Sequence, residues 1–294
     1  MHHITRKNLS NPVTKLVVVF LFFNLSLITL NANAKDTQKT FSFGIVPQQS
    51  AMILAKRWMP ILKALEEETG FKFVFRTNKT IPKFEKALAQ KVYDFAYMNP
   101  YHYTVFHKIS DYQAFAKQGN KLLTGIIVAH KDSPIQSLQD LQSQTIAFPA
   151  PAAFAATVIP QAILKEMGIR FQSKYVSSHE SVYKNVSYKS FVAGGGIERT
   201  FNNTNQNITQ SLKVIWKSKG YTPHAFAGSP NVSQEDRLKV QQALIKLSNT
   251  SEGKALLKQI KFESIVPAQN QDWDDVRSLD INLLANLKPV STSL

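Results

Sequence analysis

Polar and aromatic side chains suited to ligand contact cluster where one apolar segment ends. Residues 92–98 are as long as a strand, and an Asn-Pro pair stops them, because proline donates no backbone hydrogen bond and fixes its own φ. Ligands of open α/β sheets lie beyond the carboxyl ends of the strands. The alternative is a hairpin corner with packed tyrosines. The side chains that we predict to contact a ligand here are Tyr97, Asn99, Tyr101 and His102.

A second polar group precedes the first predicted helix. Residues 40–46 alternate like a strand and stop at Pro47, and apolar residues recur at helical spacing over 51–68. The free N–H groups at a helix start can hold an anion. The alternative is an ordinary loop in which Ser50 caps the helix. The loop residues predicted to contact a ligand are Gln48, Gln49 and Ser50.

The elements that position these residues alternate between strand and helix. A strand over 71–76 and a helix over 81–90 give a β-α-β-α-β order, which predicts a parallel sheet with helices on both faces. Arg76 falls at the carboxyl end of the second strand and is a further candidate contact. A long strand over 122–130 runs into a predicted hinge at 131–134, after which strands and helices begin again. We therefore expect an α/β protein with two lobes.

Two loops and a glycine-rich segment supply the candidates in the second half. Residues 150–157 lead from a strand into a helix, and a Ser-Ser-His-Glu segment at 177–180 begins another. In segment 191–199, three glycines let backbone amides approach a ligand, and a following arginine adds a bidentate charge; a turn that needs positive φ is the alternative. The predicted contacts are Ala153, Phe154, Thr157, Ser178, His179, Gly195, Gly196 and Arg199.

Residues 1–34 predict a cleaved secretory signal peptide. Basic residues precede the apolar run 16–30, and Ala32-Asn33-Ala34 offers small residues before a cleavage point. The apolar run is about 15 residues long, short of the roughly 20 that span a bilayer, so an uncleaved anchor is the less favoured alternative. We expect an exported, periplasmic protein.

The composition narrows the function further. The formal charge of +15 admits nucleic acid, an anionic membrane surface or a small anionic ligand, but scattered lysines without a zinc-finger or RNA-binding signature disfavour nucleic acid. The chain has no cysteine and therefore no thiol nucleophile, disulfide or cysteine-bound metal. Hydrolase and metalloprotease motifs are missing, and adjacent Ser178 and His179 suit no triad. We predict no catalysis, no cofactor and no metal site.

The ordered pieces resemble the phosphate/phosphite/phosphonate-binding family of periplasmic solute-binding proteins. The motifs are Gly44-Ile-Val-Pro47, Trp58-Met-Pro60, Asp94-Phe-Ala-Tyr97 and Ser177-Ser-His179, and the likeness covers about residues 40–280. The resemblance implies a type II periplasmic-binding-protein fold, with two α/β lobes, a two-strand hinge and delivery of the ligand to an ABC transporter permease. The expected organisation of the monomer is a signal peptide at 1–34, lobe 1 at 35–130 and 221–294, and lobe 2 at 131–220.

By position, the resemblance assigns ligand contacts to His179, Tyr97, Asn99 and the loop 48–50. Where the family carries a Ser-Thr-Ser-Gly-like loop for the oxyanion, this chain has Ala152-Ala-Phe-Ala-Ala156, and Ala193-Gly-Gly-Gly196 replaces an acidic strand. We expect a small anionic or zwitterionic ligand, phosphonate-like or repurposed, with an apolar portion against Phe154 and Tyr97. A sensor that presents its ligand to a membrane signalling protein is the alternative.

Overall fold

The computed structural model describes residues 1–3 and 38–287, and the account below concerns residues 39–287. Apart from its first three residues, the predicted signal peptide lies outside the described residues. The strands are β1 Thr40–Ile45, β2 Lys72–Arg76, β3 Phe95–Met98, β4 Gln113–Gln118, β5 Leu123–His130, β6 Thr145–Phe148, β7 Gln172–Tyr175, β8 Ala193–Ile197, β9 Leu212–Tyr221, β10 Ala225–Gly228 and β11 Ile265–Pro267. The α-helices are α1 Ala51–Thr69, α2 Ile81–Ala89, α3 Pro100–Ser110, α4 Ile159–Glu166, α5 His179–Ser187, α6 Glu198–Asn202, α7 Gln206–Thr209, α8 Gln234–Leu247, α9 Ser251–Gln259 and α10 Asp274–Arg277.

The first sheet has the strand order β11-β4-β10-β3-β1-β2. Strands β1, β2 and β3 are parallel, as their order along the chain predicts, whereas β10 runs antiparallel to β3 and β4. Aromatic rings fill the core on this sheet: the Phe43 ring lies 5.9 Å from that of Phe95 and 6.4 Å from that of Phe226. Such ring pairs add to the stability gained by burying their apolar area. The first sheet is therefore a rigid platform for the loops at its strand ends.

The second sheet has the order β7-β6-β8-β5-β9. The chain passes from the first sheet to the second between β4 and β5, and returns between β9 and β10. Residues 131–134, where a hinge was expected, follow a strand that already belongs to the second sheet. The sheet membership of β5 thus differs from the predicted division, which assigned residues up to 130 to lobe 1. The division into lobes itself stays a prediction.

Side-chain caps explain why three of the polar loops end in helices. Ser50 Oγ accepts a hydrogen bond from the Ile53 N–H, Asn99 Oδ1 from the His102 N–H at 2.7 Å, and Ser178 Oγ from the Ser181 N–H at 3.1 Å. Each bond satisfies one backbone donor that the helix itself leaves unpaired. The predicted helix starts are confirmed, and the hairpin-corner alternative at Asn99 is wrong because that residue caps α3.

The glycine-rich segment is a strand rather than a loop or turn. Ala193 to Ile197 form β8, which lies between β6 and β5 and is fully buried. A Cβ atom at Gly195 would lie 2.1 Å from the Ala156 carbonyl oxygen, and one at Gly196 would lie 2.2 Å from Tyr183 Oη. The glycines are therefore required by elements that pack directly on the strand. The positive-φ alternative is wrong, since the glycines of β8 have no such conformation.

Candidate functional site

Two small cavities lie where loops and helices of the two sheets meet, and Gln48 lines both. Their volumes are about 20 and 10 Å³, and about one water molecule fits in a cavity of 10–15 Å³. The larger, named the arginine cavity, is lined by Ile45, Gln48, Gln49, Leu54, Arg57, Trp58, Tyr97, Arg199, Thr200, Asn203, Ile260 and Phe262. The smaller, named the histidine cavity, is lined by Val46, Gln48, Ile81, Asn99, Leu123, Ala153, Phe154, Ala155, Ala156, His179, Ile197 and His224.

Arg199 places a positive charge in the arginine cavity. It lies in α6, directly after β8, and its guanidinium donates hydrogen bonds to Gln118 Oε1 at 3.2 Å and Gln48 Oε1 at 3.4 Å. The guanidinium carbon also lies 5.0 Å from the centre of the Phe262 ring and 5.7 Å from that of Tyr97. Aromatic faces attract a cation while leaving its N–H donors free for other partners. The charge is thus held in place, and no carboxylate among residues 38–287 forms an ion pair with it.

Hydrogen bonds join the elements of the two sheets around the arginine cavity. Arg57, in α1, donates to Gln49 Oε1 and, at 2.8 Å, to the Asn203 carbonyl oxygen. Burial lowers the pKa of Arg57 from its ordinary value, and the nearby Glu180 opposes this effect. Glu180 in turn accepts the Ser50 N–H at 3.2 Å. The first loop and the start of α5 are therefore in direct contact, as in a closed cleft.

The histidine cavity is built on a wide helical turn. Residues Phe154 to Val158 form a π-helical turn in which the Thr157 and Val158 N–H groups both donate to the Ala153 carbonyl oxygen, at 2.7 and 3.3 Å. The cap residue Ala153 offers no side-chain acceptor. Because the first N–H groups of a helix have no partner within it, this end of the turn supplies neutral backbone donors.

Two buried histidines complete the histidine cavity. Burial, aided by the charge of Arg199, lowers the pKa of His179 to about 3, and burial together with Arg199 holds the pKa of His224 well below its ordinary value. Both rings are therefore neutral at pH 7. Since the guanidinium can only donate, Gln48 turns Oε1 towards Arg199 and Nε2 towards His224 Nε2, 2.9 Å away. His224 thus accepts at Nε2 and carries its proton on Nδ1.

Three buried polar atoms around the cavities lack a hydrogen-bond partner. They are Tyr97 Oη, His179 Nδ1 and His224 Nδ1, in side chains that are at most 4% exposed. Burial raises the pKa of Tyr97, against the opposing effect of Arg199, so its hydroxyl keeps its proton. The Tyr97 ring stacks on His224, with ring centres 5.0 Å apart. Buried polar groups in folded proteins are nearly always paired, so these three atoms are candidates for ligand contact.

The structure brings half of the predicted contacts to the two cavities. Those that line a cavity are Gln48, Gln49, Tyr97, Asn99, Ala153, Phe154, His179 and Arg199. Asn99 Nδ2 also donates to the Ala152 carbonyl oxygen at 3.2 Å, which joins α3 to the π-helical turn. Phe154 and Tyr97 lie in different cavities, so they do not form one apolar wall.

Other predicted contacts lie elsewhere or serve the fold. Ser50 and Ser178 cap helices, Arg76 is exposed at the end of β2, and Tyr101 Oη accepts the N–H groups of Leu283 and Leu284. Their role in binding stays a prediction. Four further predicted contacts belong to this group. Thr157 is buried, and its hydroxyl has no partner among the described residues. His102 pairs with Glu85 at 2.9 Å, and Gly195 and Gly196 are packed within β8.

Sequence reasoning gave little weight to His224, which is central to the site. It precedes β10, and β10 pairs with β3 so that Ala225 lies opposite Met98. This pairing brings His224 beside Tyr97, which lies far away in the sequence. No local sequence pattern predicts that two such distant strands pair in antiparallel fashion. The sequence feature that could have identified His224 was its position next to a proline in the segment that returns to the first sheet.

Two sheets with a polar, partly unsatisfied site between them define a substrate-binding protein of the type II periplasmic fold. Residues 43–273 match the model of the family described as "ABC transporter, phosphonate, periplasmic substrate-binding protein". The chain therefore belongs to this family, and the resemblance that the sequence motifs suggested is confirmed.

Several known proteins resemble the chain over most of its length. The phosphonates-binding periplasmic protein of Escherichia coli is 23% identical over 289 residues, which cover 87% of this chain and 80% of that protein. The binding component of an ABC phosphonate transporter from Pseudomonas aeruginosa has a TM-score of 0.76 and 21% identity, covering 83% and 86% of the two chains. PhnD1 from Prochlorococcus marinus, solved with methylphosphonate, has a TM-score of 0.76 and 15% identity, covering 82% and 97%.

These findings confirm the expected class. The protein is a periplasmic component of an ABC transporter that binds a small anionic ligand and works with a permease, and nothing found supports the sensor alternative. Within residues 1–3 and 38–287, no helix is long and apolar enough to span a bilayer. The same residues contain no cluster of three or more His, Asp or Glu side chains arranged to hold a metal ion.

Proposed function

We propose that this protein binds a phosphonate between its two sheets, at the arginine and histidine cavities, and that it carries out no catalysis. The observation that supports this proposal best is the convergence of Tyr97 Oη, His179 Nδ1 and His224 Nδ1, all buried and without partners, beside the cation Arg199. Donors and one positive charge suit an oxyanion.

Neutral donors explain how the site binds an oxyanion without the hydroxyl-rich loop of the family. The N–H groups at the start of the Phe154–Val158 turn and the imidazole of His179 line one cavity. A preorganised backbone N–H needs no side-chain ordering when a ligand arrives. Ala152 to Ala156 therefore keep the geometry of an anion site while giving up the hydroxyl contacts. We include Gln48, Asn99 and His224 among the contacts.

Closure of the two halves on the ligand follows from the contacts between them. Hydrogen bonds from Arg57 to Asn203 and from Ser50 to Glu180 join elements of different sheets. A ligand that bonds groups on both sides favours the closed arrangement because its contacts are better there. The two segments that connect the sheets, 119–122 and 222–224, are the natural hinges, and we propose them as the boundaries of the two lobes.

Calorimetric titration of the purified protein with methylphosphonate, phosphate and phosphite tests the proposal. We expect methylphosphonate to bind with a dissociation constant in the micromolar range or below, about −8 kcal/mol or better. His179→Gln should weaken binding about tenfold while the far-ultraviolet circular dichroism stays unchanged. Failure of every phosphonate to bind at millimolar concentration would contradict the proposed ligand.

A further inference from the structure

The two cavities have different charge, and the difference bears on which phosphonate binds. Two arginines line the arginine cavity, and no arginine lines the histidine cavity. Neither lining contains an aspartate or a glutamate. The site is thus one-sided, with a strongly positive half and a neutral half.

Arg199 differs from Arg57 in what surrounds its charge. Both donate hydrogen bonds to neutral oxygens, but the nearby carboxylate of Glu180 offsets part of the charge of Arg57. The guanidinium of Arg199 donates to two neutral amide oxygens, those of Gln118 and Gln48. None of the ion pairs among the described residues includes Arg199. Neutral partners compensate the positive charge of a half-buried guanidinium poorly. A carboxylate that accepts two parallel hydrogen bonds from the guanidinium supplies the missing negative charge.

Gln48 separates Arg199 from the neutral donors of the histidine cavity. Its side-chain amide has one end 3.4 Å from Arg199 Nη2 and the other end 2.9 Å from His224 Nε2. A phosphonate group held by the π-helical turn and His179 therefore leaves Arg199 on the far side of this amide. A ligand that satisfies both halves carries a second acceptor group, one that reaches the guanidinium.

The acids around the site already have partners. Glu180 accepts the Ser50 N–H, Glu85 pairs with His102 at 2.9 Å, and Glu198, which directly precedes Arg199, pairs with Lys217. A ligand ammonium group would find no lining carboxylate and would face the positive charge of Arg199. The electrostatics of the cavity therefore disfavour an aminophosphonate.

We propose that the ligand is a phosphonate with a second anionic group, such as a carboxylate, and that Arg199 determines this specificity. The inference rests on the proposed function and specifies its ligand class. The phosphonate binds the neutral donors of the histidine cavity, and the second anion binds the guanidinium in the arginine cavity.

The test compares three probes that share the phosphonate group: phosphonoacetate, methylphosphonate and 2-aminoethylphosphonate. In calorimetric titrations of the purified protein, phosphonoacetate should bind at least about tenfold more tightly than methylphosphonate, as a charge-assisted bidentate pair permits, and 2-aminoethylphosphonate at least about tenfold more weakly. In Arg199→Gln, the preference for phosphonoacetate over methylphosphonate should fall to about onefold to twofold. Arg199→Lys should keep the sign of the preference but reduce its size.

A matched control is Arg237→Gln, which removes a half-buried arginine whose guanidinium donates to the Val232 carbonyl oxygen, away from both cavities. It should retain the wild-type preference. Equal affinities of wild type for the three probes, or an equal loss of both affinities in Arg199→Gln, would overturn the inference while leaving phosphonate binding intact. Binding of none of the three probes would overturn the proposed function as well. The wild-type comparison decides the matter even where the variants fold poorly.

Discussion

The arginine cavity and the histidine cavity offer a ligand different physical means of binding, although one glutamine side chain lines both. The first offers a side-chain cation held over two aromatic rings. The second offers neutral donors that belong to the backbone of a turn and to two buried imidazoles. Charge attracts an anion over a longer distance and is weakened by salt, whereas fixed neutral donors act only at contact.

If the proposed ligand binds as described, affinity and selectivity have separate origins in the two cavities. The histidine cavity depends on how closely the π-helical turn packs on the second sheet, since the Ala155 and Ala156 carbonyl oxygens occupy the space that side chains of Gly125 and Gly195 would need. The arginine cavity depends on one side chain at the start of a short helix. Damage to the first should abolish binding, and damage to the second should change which ligand is preferred.

Gly195→Ala should have the largest effect. Its Cβ would lie 2.1 Å from the Ala156 carbonyl oxygen and 2.7 Å from the Phe148 ring, so the turn must move away from the sheet. We expect a loss of about 2–3 kcal/mol in the free energy of unfolding, as in overpacked cores, together with loss of phosphonate binding. Urea denaturation and calorimetry measure the two effects.

The control for this prediction is Gly228→Ala in β10. The Cβ atom there would meet the flexible side chain of Arg237, which can move aside. A smaller loss of stability and intact binding are expected. Equal losses in the two variants would show that the packing of the turn on Gly195 has no special importance.

The pH dependence of stability tests the neutral state of the histidine cavity. The pKa of His179 is about 3 in the folded protein and 6.5 in the unfolded chain, so the unfolded chain binds a proton first as the pH falls. The contribution of His179 is therefore complete above pH 6.5 and is lost as the pH falls towards 3, at about 1.4 kcal/mol per pH unit. His224 acts in the same direction because its pKa is also lowered.

His179→Gln should make this dependence shallower by about one proton. Free energies of unfolding measured in urea at pH 7, 6 and 5 give the slope for each protein. Arg199→Gln should leave the slope between pH 7 and 5 almost unchanged, because burial is the larger cause of the low pKa of His179 and keeps the folded ring neutral in this range. An unchanged slope in His179→Gln would show that this histidine is charged or exposed in the folded protein.

Tyr97→Phe should separate ligand contact from structural support. The Tyr97 hydroxyl lacks a partner in ordinary hydrogen-bond geometry, although the Arg199 side chain lies close enough to lower its pKa, so its removal should change the stability of the ligand-free protein by less than about 1 kcal/mol. Phosphonate affinity should fall about tenfold, the equivalent of about 1.4 kcal/mol. Thermal unfolding and calorimetry measure the two quantities.

Tyr183→Phe is the matched comparison, because the Tyr183 hydroxyl donates to the Ile197 carbonyl oxygen at 3.0 Å and accepts the Ile197 N–H at 3.1 Å. Removing it should cost about 1–3 kcal/mol of stability, since both backbone groups lose their partner. If Tyr97→Phe destabilises the ligand-free protein as much as Tyr183→Phe does, then Tyr97 supports the fold rather than the ligand.

Ala153→Ser should have the smallest effect. Ala153 is the cap of the π-helical turn and makes no side-chain hydrogen bond. A serine there can accept a backbone N–H, which stabilises a helix start by about 0.5–2 kcal/mol, and can offer a hydroxyl to an oxyanion. We expect a slightly higher melting temperature and tighter binding of methylphosphonate. Weaker binding would show that the backbone donors, rather than the hydroxyl, fill this position.

The local structure was predictable from the amino-acid sequence. Strand and helix periods, Gly70 after α1 and the caps Ser50, Asn99 and Ser178 are decided by neighbours a few residues apart, so the α/β alternation and most helix starts were predictable. The motif order was also sufficient to indicate the family. Aromatic and polar residues at strand ends located Tyr97 and Asn99, because a parallel sheet places such ends at one edge.

The arrangement of these residues in one site follows from contacts between distant segments, which local sequence patterns do not predict. The three glycines read as a ligand loop, yet they form a buried strand, because the turn that packs on them lies about forty residues earlier in the chain and no local pattern records that contact. The pairing of β10 with β3 brought His224 to Tyr97, and the meeting of two sheets left Arg199 without an anionic partner. Contacts between distant segments depend on the packing of the whole chain. For this reason the sequence predicted some residues of the site but could not predict the balance of charges among them.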